Sequence, residues 1–171
     1  MKTAIIIPAR NEEAPLPDVI AEIPSEVADL VIVVDNGSSD RTAEVAEQAG
    51  ALVIPEPRAG YGYACATGVR SAAERGADVL IFLDADGSFD PDQISDLLDP
   101  MEAGQADLVL GSRPAGGMEP GAMPPHARFG NWLVARLMRL IYGLQVTDLG
   151  PFRAIRADLL LQLQMQEMTY G

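Results

Sequence analysis

Short runs of apolar residues alternate with longer amphipathic stretches along the first two thirds of the chain. The apolar runs are rich in β-branched side chains, which predicts strands buried on both faces of a parallel sheet. The five predicted strands are residues 3–7, 30–34, 51–54, 79–83 and 107–110. The amphipathic stretches predict helices at 12–23, 40–48, 61–75 and 91–103. This alternation predicts an α/β fold whose open, mainly parallel sheet is flanked by helices.

Turn-forming residues support the ends of these helices. Gly50, Gly76 and Gly104 each follow a predicted helix, where a glycine commonly ends the last turn. Asp90 followed by Pro91 is typical of a helix cap and first turn. We therefore expect the fourth helix to begin at this pair.

The pattern changes after Arg113. Residues 114–125 contain Gly, Pro and Met without any period, and they directly follow the last predicted strand. We expect a lid or an acceptor-site loop here, with a plain linker as the alternative. Further helices are predicted at 127–142 and 158–164.

The helix predicted at 127–142 carries an apolar stripe bordered by arginines. The stripe consists of Phe129, Leu133, Leu137, Leu140 and Ile141. The residues beside it are Arg128, Arg136, Arg139 and, on the border, Trp132. A helix of this kind either packs its stripe into a core or lies on a membrane surface. The sequence leaves both alternatives open.

Composition limits the class of protein. Hydrophobic residues make up 48% of the chain and charged residues 22%, which is ordinary for a folded domain and excludes disorder. No apolar run approaches the ~20 residues of a membrane-spanning helix, and the first residues lack the pattern of a signal peptide. The single cysteine, Cys65, excludes an internal disulfide framework. We expect a cytoplasmic protein.

The charge balance excludes one class of partner. The net charge is −13, with 25 acidic against 12 basic residues. Such a chain repels the phosphate backbone of DNA or RNA, so we predict no nucleic-acid partner.

Polar residues follow four of the predicted strands at their carboxyl ends. In open α/β sheets these ends form the crevice in which ligands bind. Four polar endings together therefore predict one shared binding site. The endings are 8–12 (PARNE), 35–40 (DNGSSD), 84–86 (DAD) and 111–113 (GSR).

Asp84 and Asp86 are the sharpest candidates for chemistry. Residues two apart in an extended segment point the same way, so both carboxylates can face one cation. Mg²⁺ or Mn²⁺ accepts one or two carboxylates and completes its shell with phosphate oxygens and water. The pair predicts a divalent metal site that neutralises a diphosphate leaving group.

The other candidate side chains have less specific patterns. Asp35 either binds a ribose hydroxyl or base edge or forms a turn, and Asp40 is expected to cap a helix. His126 is expected to be a loop residue, and Cys65 a small packing residue within a helix. The sequence lacks the dinucleotide fingerprint, the Walker A loop and the serine-hydrolase elbow.

Together these motifs resemble the inverting family 2 glycosyltransferases, especially the branch of polyprenyl-phosphate (dolichol-phosphate) mannose and glucose synthases. The resemblance covers nearly the whole chain, with the motifs in family order. The matching segments are 6–13 (IIPARNEE), 33–40 (VVDNGSSD), 58–62 (RAGYG), 84–86 (DAD), 111–113 (GSR) and 147–153 (TDLGPFR).

The resemblance implies a fold, an activity and a set of site residues. It implies a single GT-A domain, with a nucleotide-sugar-binding half at 1–113 and an acceptor-side loop and helices at 114–171, truncated at the carboxyl end. Asp84 and Asp86 would hold the metal and the diphosphate, and Asp84 and Ala85 would also contact the donor nucleotide. Arg113 and Arg128 would bind the acceptor phosphate, and Asp84, Asp86 and Arg113 would be catalytic. The residues implied for the nucleoside pocket are Pro8, Ala9, Arg10, Asn11, Glu12 and Asp35.

The implied reaction is metal-dependent, inverting transfer of a hexose from UDP- or GDP-hexose to a polyprenyl phosphate, with peripheral contact at the inner face of the membrane. A phosphate acceptor is already ionised at pH 7, whereas a hydroxyl acceptor needs a general base. The best base candidate, Asp148, is poor, which favours the phosphate. A small soluble phosphorylated acceptor, a nucleotidyltransferase and a non-catalytic nucleotide-sugar-binding module remain alternatives.

Two positions depart from the pattern of the branch. Many members have a second aspartate where Asn36 stands, which bears on recognition of the nucleotide base. Some have a glutamine where Ser88 stands, which bears on the metal shell.

Overall fold

The computed structural model of the protein describes residues 1–112, 125–143, 146–147 and 150–163, with side chains from residue 130 onward in the second of these segments. It contains six strands in one sheet. Their bounds are β1 Thr3–Ala9, β2 Leu30–Asp35, β3 Leu52–Pro55, β4 Val79–Phe82, β5 Leu108–Leu110 and β6 Arg153–Arg156. The five strands predicted from the sequence are confirmed within three residues at each end.

The sheet has the order β3-β2-β1-β4-β6-β5. The pairs β1–β2, β1–β4 and β2–β3 are parallel, as predicted. Strand β6 was not predicted, and it pairs antiparallel with β4, opposing Arg153 to Phe82. Its sequence, Arg-Ala-Ile-Arg, contains only two apolar residues between two charges, which is too short a pattern to indicate a strand.

The helices follow the predicted alternation, with bounds α1 Leu16–Ala21, α2 Thr42–Gln48, α3 Tyr61–Glu74, α4 Ile94–Glu102, α5 Pro125–Tyr142 and α6 Ala157–Gln162. Helix α1 begins four residues later than predicted, because Asn11 adopts a left-handed φ of 59° and the chain turns before the helix. A single 3₁₀ turn, Pro91–Gln93, precedes α4, and the Asp90 side chain accepts the N–H of Asp92 as expected of a cap.

The core lies on both faces of the sheet. Ile5, Ile6 and Ile7 are fully buried, and their side chains alternate between two hydrophobic clusters. Residues of α1, α2 and α4 complete one cluster, and residues of α3 and α6 complete the other. Helix α3 approaches the sheet so closely that a Cβ on Gly68 would overlap the side chain of Ile6.

The chain divides into two compact units, Met1–Val109 with Phe152–Gly171, and Leu110–Pro151. The second contains α5. Of its predicted apolar stripe, Leu133, Leu137, Leu140 and Ile141 are exposed, so of the two alternatives left open by the sequence, packing into a core does not describe these side chains. Among the described residues, no helix combines the length and apolar character needed to cross a bilayer.

Candidate active site

A cleft with a volume of about 330 Å³ lies within the first unit, where β1, β2 and β4 end. It brings together segments that are far apart in sequence, as expected of the carboxyl edge of an open α/β sheet. The lining residues are Pro8, Ala9, Arg10, Glu12, Asn36, Gly60, Tyr61, Ala64, Asp84, Ala85 and Asp86.

The segment that follows β1 supplies one wall of the cleft. Pro8, Ala9, Arg10 and Glu12 line it, and the Glu12 N–H is fixed by the hydroxyl of Thr42 at 2.8 Å. Asn11 does not line the cleft. Its side-chain oxygen accepts the N–H of Ser39 at 2.8 Å, and its own N–H donates to the hydroxyl of Ser38 at 3.0 Å. Asn11 therefore joins the turn after β1 to the turn after β2.

The turn after β2 is held by carboxylates. Asp35 accepts the N–H of Ser38, three residues further along, at 3.0 Å, and Asp35 is not among the lining residues. Asp40 accepts the N–H of Thr42, the first residue of α2, at 3.0 Å. Hydrogen bonds from Thr42 lower the pKa of Asp40. The N-cap position of α2 is Arg41, so Asp40, which the sequence predicted as the cap, binds the helix from one residue earlier.

Asp84 and Asp86 both line the cleft just beyond β4. Asp84 is half-buried and Asp86 is exposed, and one oxygen of Asp86 accepts the N–H of Ser88 at 2.9 Å. The described residues contain no group of three His, Cys, Asp or Glu side chains suited to hold a metal. Two carboxylates nevertheless fit Mg²⁺ or Mn²⁺, because such an ion takes its remaining ligands from water and phosphate oxygens.

The start of α3 supplies a neutral wall beside Asp84. Tyr61 lines the cleft, and burial raises the pKa of its hydroxyl. Burial likewise raises the pKa of the nearby Cys65 thiol to about 11, so both groups are neutral at pH 7. Cys65 packs against one of the two core clusters, as predicted.

Arg58 and Glu56 lie in the loop between β3 and α3. The Arg58 guanidinium donates to Glu56 at 2.6 Å and stacks over the Tyr63 ring at 4.5 Å. Hydrogen bonds from Arg58, and then from Thr67, lower the pKa of Glu56 to about 2. This ion pair gives the loop an internal anchor.

Several predicted residues lie outside the described part of the molecule. These are Arg113 and Asp148, together with the side chains of Arg128 and His126, whose backbone belongs to α5. The sequence analysis singled out Asn36 only as a departure that bears on base recognition, and it did not assign the lining residues Gly60, Tyr61 and Ala64 to the site. The segment 58–62 was noted as a motif, and its Gly-Tyr-Gly triplet was the signal that could have identified Gly60 and Tyr61.

The sequence pattern of the family described as Glycosyl transferase family 2 matches residues 4–163. The chain belongs to this family. The resemblance inferred from the motifs is thereby confirmed, and so is the prediction that the protein is a glycosyltransferase.

Relatives cover almost the whole chain. An uncharacterised glycosyltransferase of Mycobacterium tuberculosis is 39% identical over 168 residues, which are 98% of this chain and 73% of the relative. The undecaprenyl-phosphate mannosyltransferase of Micrococcus luteus is 34% identical, covering 96% of this chain and 70% of the relative. The polyprenol monophosphomannose synthase of Mycolicibacterium smegmatis is 32% identical, and the match covers 96% of this chain and 65% of the relative.

A solved structure with the same fold is glucosyl-3-phosphoglycerate synthase of Mycobacterium tuberculosis, in complex with Mn²⁺, UDP-glucose and phosphoglyceric acid. The TM-score is 0.69 and the identity 28%, covering 93% of this chain and 58% of that one. This chain thus spans less than two thirds of the synthase. The predicted GT-A α/β fold is confirmed by this match.

Proposed function

We propose that the protein transfers a hexose, with inversion, from a UDP- or GDP-hexose to a polyprenyl phosphate. The observation that carries the proposal is the cleft in which Asp84 and Asp86 lie beside Arg10 in a family 2 chain. Paired carboxylates beside a cation suit a metal-bound diphosphate, which a nucleotide-sugar donor presents.

The donor nucleotide is proposed to lie along the residues that follow β1. Pro8, Ala9, Arg10 and Glu12 line the cleft and would contact it directly. Asn11 and Asp35 bond to Ser38 instead, so we assign them the support of the two turns that form the wall. This division makes Arg10 the strongest direct ligand, since its exposed guanidinium can pair with an anionic donor.

Asp84 and Asp86 would hold Mg²⁺ or Mn²⁺, with Ala85 between them against the donor. The ion supplies charge neutralisation to the departing nucleoside diphosphate. The hydrogen bond from the Ser88 N–H orients the Asp86 carboxylate. Burial keeps the neighbouring Tyr61 and Cys65 neutral, so neither adds a negative charge beside Asp84.

The acceptor phosphate is proposed to be bound by Arg113 and Arg128. An oxygen of the phosphate forms the new bond to the anomeric carbon while the bond from that carbon to the diphosphate oxygen breaks. Because the phosphate is already ionised at pH 7, the step needs position and charge screening rather than a general base. Arg113 would therefore act by orienting the nucleophile.

A membrane-facing role for α5 follows from its surface. Trp132, Leu140, Ile141 and Tyr142 are at least 56% exposed. The helix contains three arginines and no acid, in a chain whose net charge is −13. A basic amphipathic helix of this kind lies on an anionic lipid surface, where a polyprenyl phosphate would be available. We therefore propose that the protein works at the cytoplasmic face of a membrane.

A soluble phosphorylated acceptor is the second candidate. It is favoured by the likeness to glucosyl-3-phosphoglycerate synthase, whose structure contains phosphoglyceric acid. This chain matches a larger share of the undecaprenyl-phosphate mannosyltransferase and of the polyprenol monophosphomannose synthase than of the glucosyl-3-phosphoglycerate synthase. This difference favours a lipid phosphate as the acceptor.

A transfer assay separates the candidates. Radiolabelled UDP- and GDP-hexoses are supplied with Mn²⁺ or with a chelator, and either undecaprenyl phosphate in detergent or 3-phosphoglycerate as acceptor. We expect metal-dependent label in the lipid. Label only in phosphoglycerate would establish the second candidate, and metal-dependent donor binding without transfer to either would favour a non-catalytic binding module.

A further inference from the structure

The side chain of Asn36 connects three segments of the donor cleft. We propose that Asn36 is a positioning residue: it holds the loop 56–60 so that Gly60 and Tyr61 form the wall of the nucleotide site, and it does not bind the base itself. The inference rests on the proposed function, because it concerns the binding of a nucleoside diphosphate.

The contacts of Asn36 fix its orientation. Its amide nitrogen donates to the carbonyl oxygens of Glu56 at 3.0 Å and of Arg58 at 2.7 Å. Its amide oxygen accepts the N–H of Gly60 at 2.9 Å. All three partners are backbone atoms of fixed polarity, so the amide fits in one orientation alone. Both amide protons are used, and Asn36 has no donor left for a nucleobase.

The same residue is tied to the sheet. The backbone N–H of Asn36 donates to the carbonyl of Ala9 at 2.9 Å, and Asn36 is only 7% exposed. It is therefore held where β1 and β2 end. Through Asn36 the loop 56–60 is tied to Ala9, which also lines the cleft.

The loop also has its own internal support. Glu56 is 3% exposed, and its carboxylate accepts hydrogen bonds from the backbone N–H of Arg58 at 2.9 Å and from the Thr67 hydroxyl at 2.5 Å. These bonds hold Glu56, Arg58 and α3 together within the loop and its neighbourhood. Asn36 adds the bonds that join this loop to the end of β2.

Gly60, whose N–H binds Asn36, has an unusual backbone conformation. Gly60 has φ +142° and ψ 134°, a backbone conformation that other L residues rarely adopt, and α3 begins at the next residue. The hydrogen bond from the Gly60 N–H to Asn36 stabilises this conformation. Tyr61 then enters α3 with its side chain along the cleft.

The chemistry also explains why an amide is required. An aspartate at position 36 has the same shape, but its carboxylate would place an oxygen where the amide nitrogen now faces two carbonyl oxygens. Two attractive contacts would become repulsive in a buried setting. The departure from the branch at this position is therefore suited to the loop that this chain carries.

Calorimetric titration of UDP and of GDP, each with MnCl₂, tests the proposal on three variants. Asn36→Asp exchanges the amide for a carboxylate. Gly60→Ala disturbs the same wall at Gly60, the residue whose N–H binds Asn36. Gln105→Glu, at an exposed amide, is the matched control. For whichever nucleotide the wild type binds, we expect Kd to rise at least about tenfold in the first two and to change less than about twofold in the control.

Stoichiometry distinguishes positioning from stability alone. A variant that only loses folded protein binds fewer equivalents with an unchanged Kd, whereas a displaced wall raises Kd at full stoichiometry. An unchanged Kd in both Asn36→Asp and Gly60→Ala would overturn the inference and leave the proposed function intact. A wild type that binds neither nucleotide would overturn the proposed function, and the inference with it.

Discussion

The turns around the donor cleft and the helix α5 differ in where their side chains find partners. In the turns, Asn36 and Glu56 are 7% and 3% exposed and their polar atoms bond to neighbouring backbone. In α5, Leu140 and Tyr142 are 80% and 69% exposed although both are large and apolar. The chain's own residues determine the geometry of the turns, whereas the surface of α5 is suited to a partner outside the described residues.

Charge separates the two regions in the same way. Among the described residues, the cleft combines the acidic Asp84 and Asp86 with Arg10, which suits an anionic ligand bound through a metal cation. Helix α5 contains arginines but no acidic residue, and the Arg136 guanidinium lies over the ring of Trp132 at 6.0 Å. A substitution in one region should therefore change one function and spare the other, and this separation can be tested.

The largest expected effect is at Asp86. Asp86→Asn removes one of two carboxylates proposed to hold the metal, so metal-dependent donor binding and transfer should fall at least about 100-fold, because the ion contributes several kcal/mol of charge stabilisation. Thermal melting should be unchanged, since the side chain is exposed. The assay is donor binding and hexose transfer at several Mn²⁺ concentrations.

The matched control for this substitution is Asp99→Asn, an exposed aspartate on α4. It should leave donor binding, hexose transfer and binding to anionic lipid vesicles as in the wild type. If Asp86→Asn keeps wild-type metal dependence, the assignment of Asp84 and Asp86 to the metal is wrong. If Asp86→Asn also weakens binding to anionic vesicles, the donor cleft and helix α5 are not functionally separate.

Sequence pattern was sufficient for β1 to β5, because continuous β-branched runs are typical of strands buried on both faces of a parallel sheet. Strand β6 escaped prediction because its stability comes from pairing with β4 and from Arg153, which lies over the Phe82 ring at 5.0 Å. Neither is a local property of Arg153–Arg156. The sequence also could not decide whether the apolar stripe of α5 packs into a core or is exposed, since periodicity identifies an apolar face but not what that face contacts.

The site shows the same limit at finer scale. The prediction that Asp84 and Asp86 share a site needed only their spacing and the strand before them. The roles of Asn11 and Asn36 depend on hydrogen bonds to Ser39 and Gly60, which are 28 and 24 residues away along the chain. Contacts over such separations follow from the tertiary fold, so no pattern in the neighbouring residues could indicate them.

An intermediate effect is expected on α5. Arg136→Ala combined with Arg139→Ala should lower binding to vesicles rich in phosphatidylserine about 30-fold, because each cation near such a surface contributes ~1 kcal/mol. Binding to neutral vesicles should change little, and nucleotide affinity not at all. Co-sedimentation with both vesicle types measures this. Equal binding of the variant and the wild type to anionic vesicles would refute the membrane role of the helix.

The smallest effect is expected in the loop 56–60, and it depends on pH. Because hydrogen bonds lower the pKa of Glu56 to about 2, against ~4.3 when unfolded, its ionised form stabilises the fold above that unfolded value. Glu56→Gln should lower the free energy of unfolding by about 1.5 kcal/mol at pH 7. The difference should shrink as pH falls from about 4.5 towards 2, where the wild-type carboxylate becomes protonated.

Urea unfolding of wild type and Glu56→Gln at pH 7 and at pH 3 measures this difference, with Glu102→Gln, at an exposed position on α4, as control. The control should match the wild type at both pH values, because the Glu102 side chain is exposed. A gap for Glu56→Gln that stays constant with pH would mean that packing, not the ionised carboxylate, holds the loop.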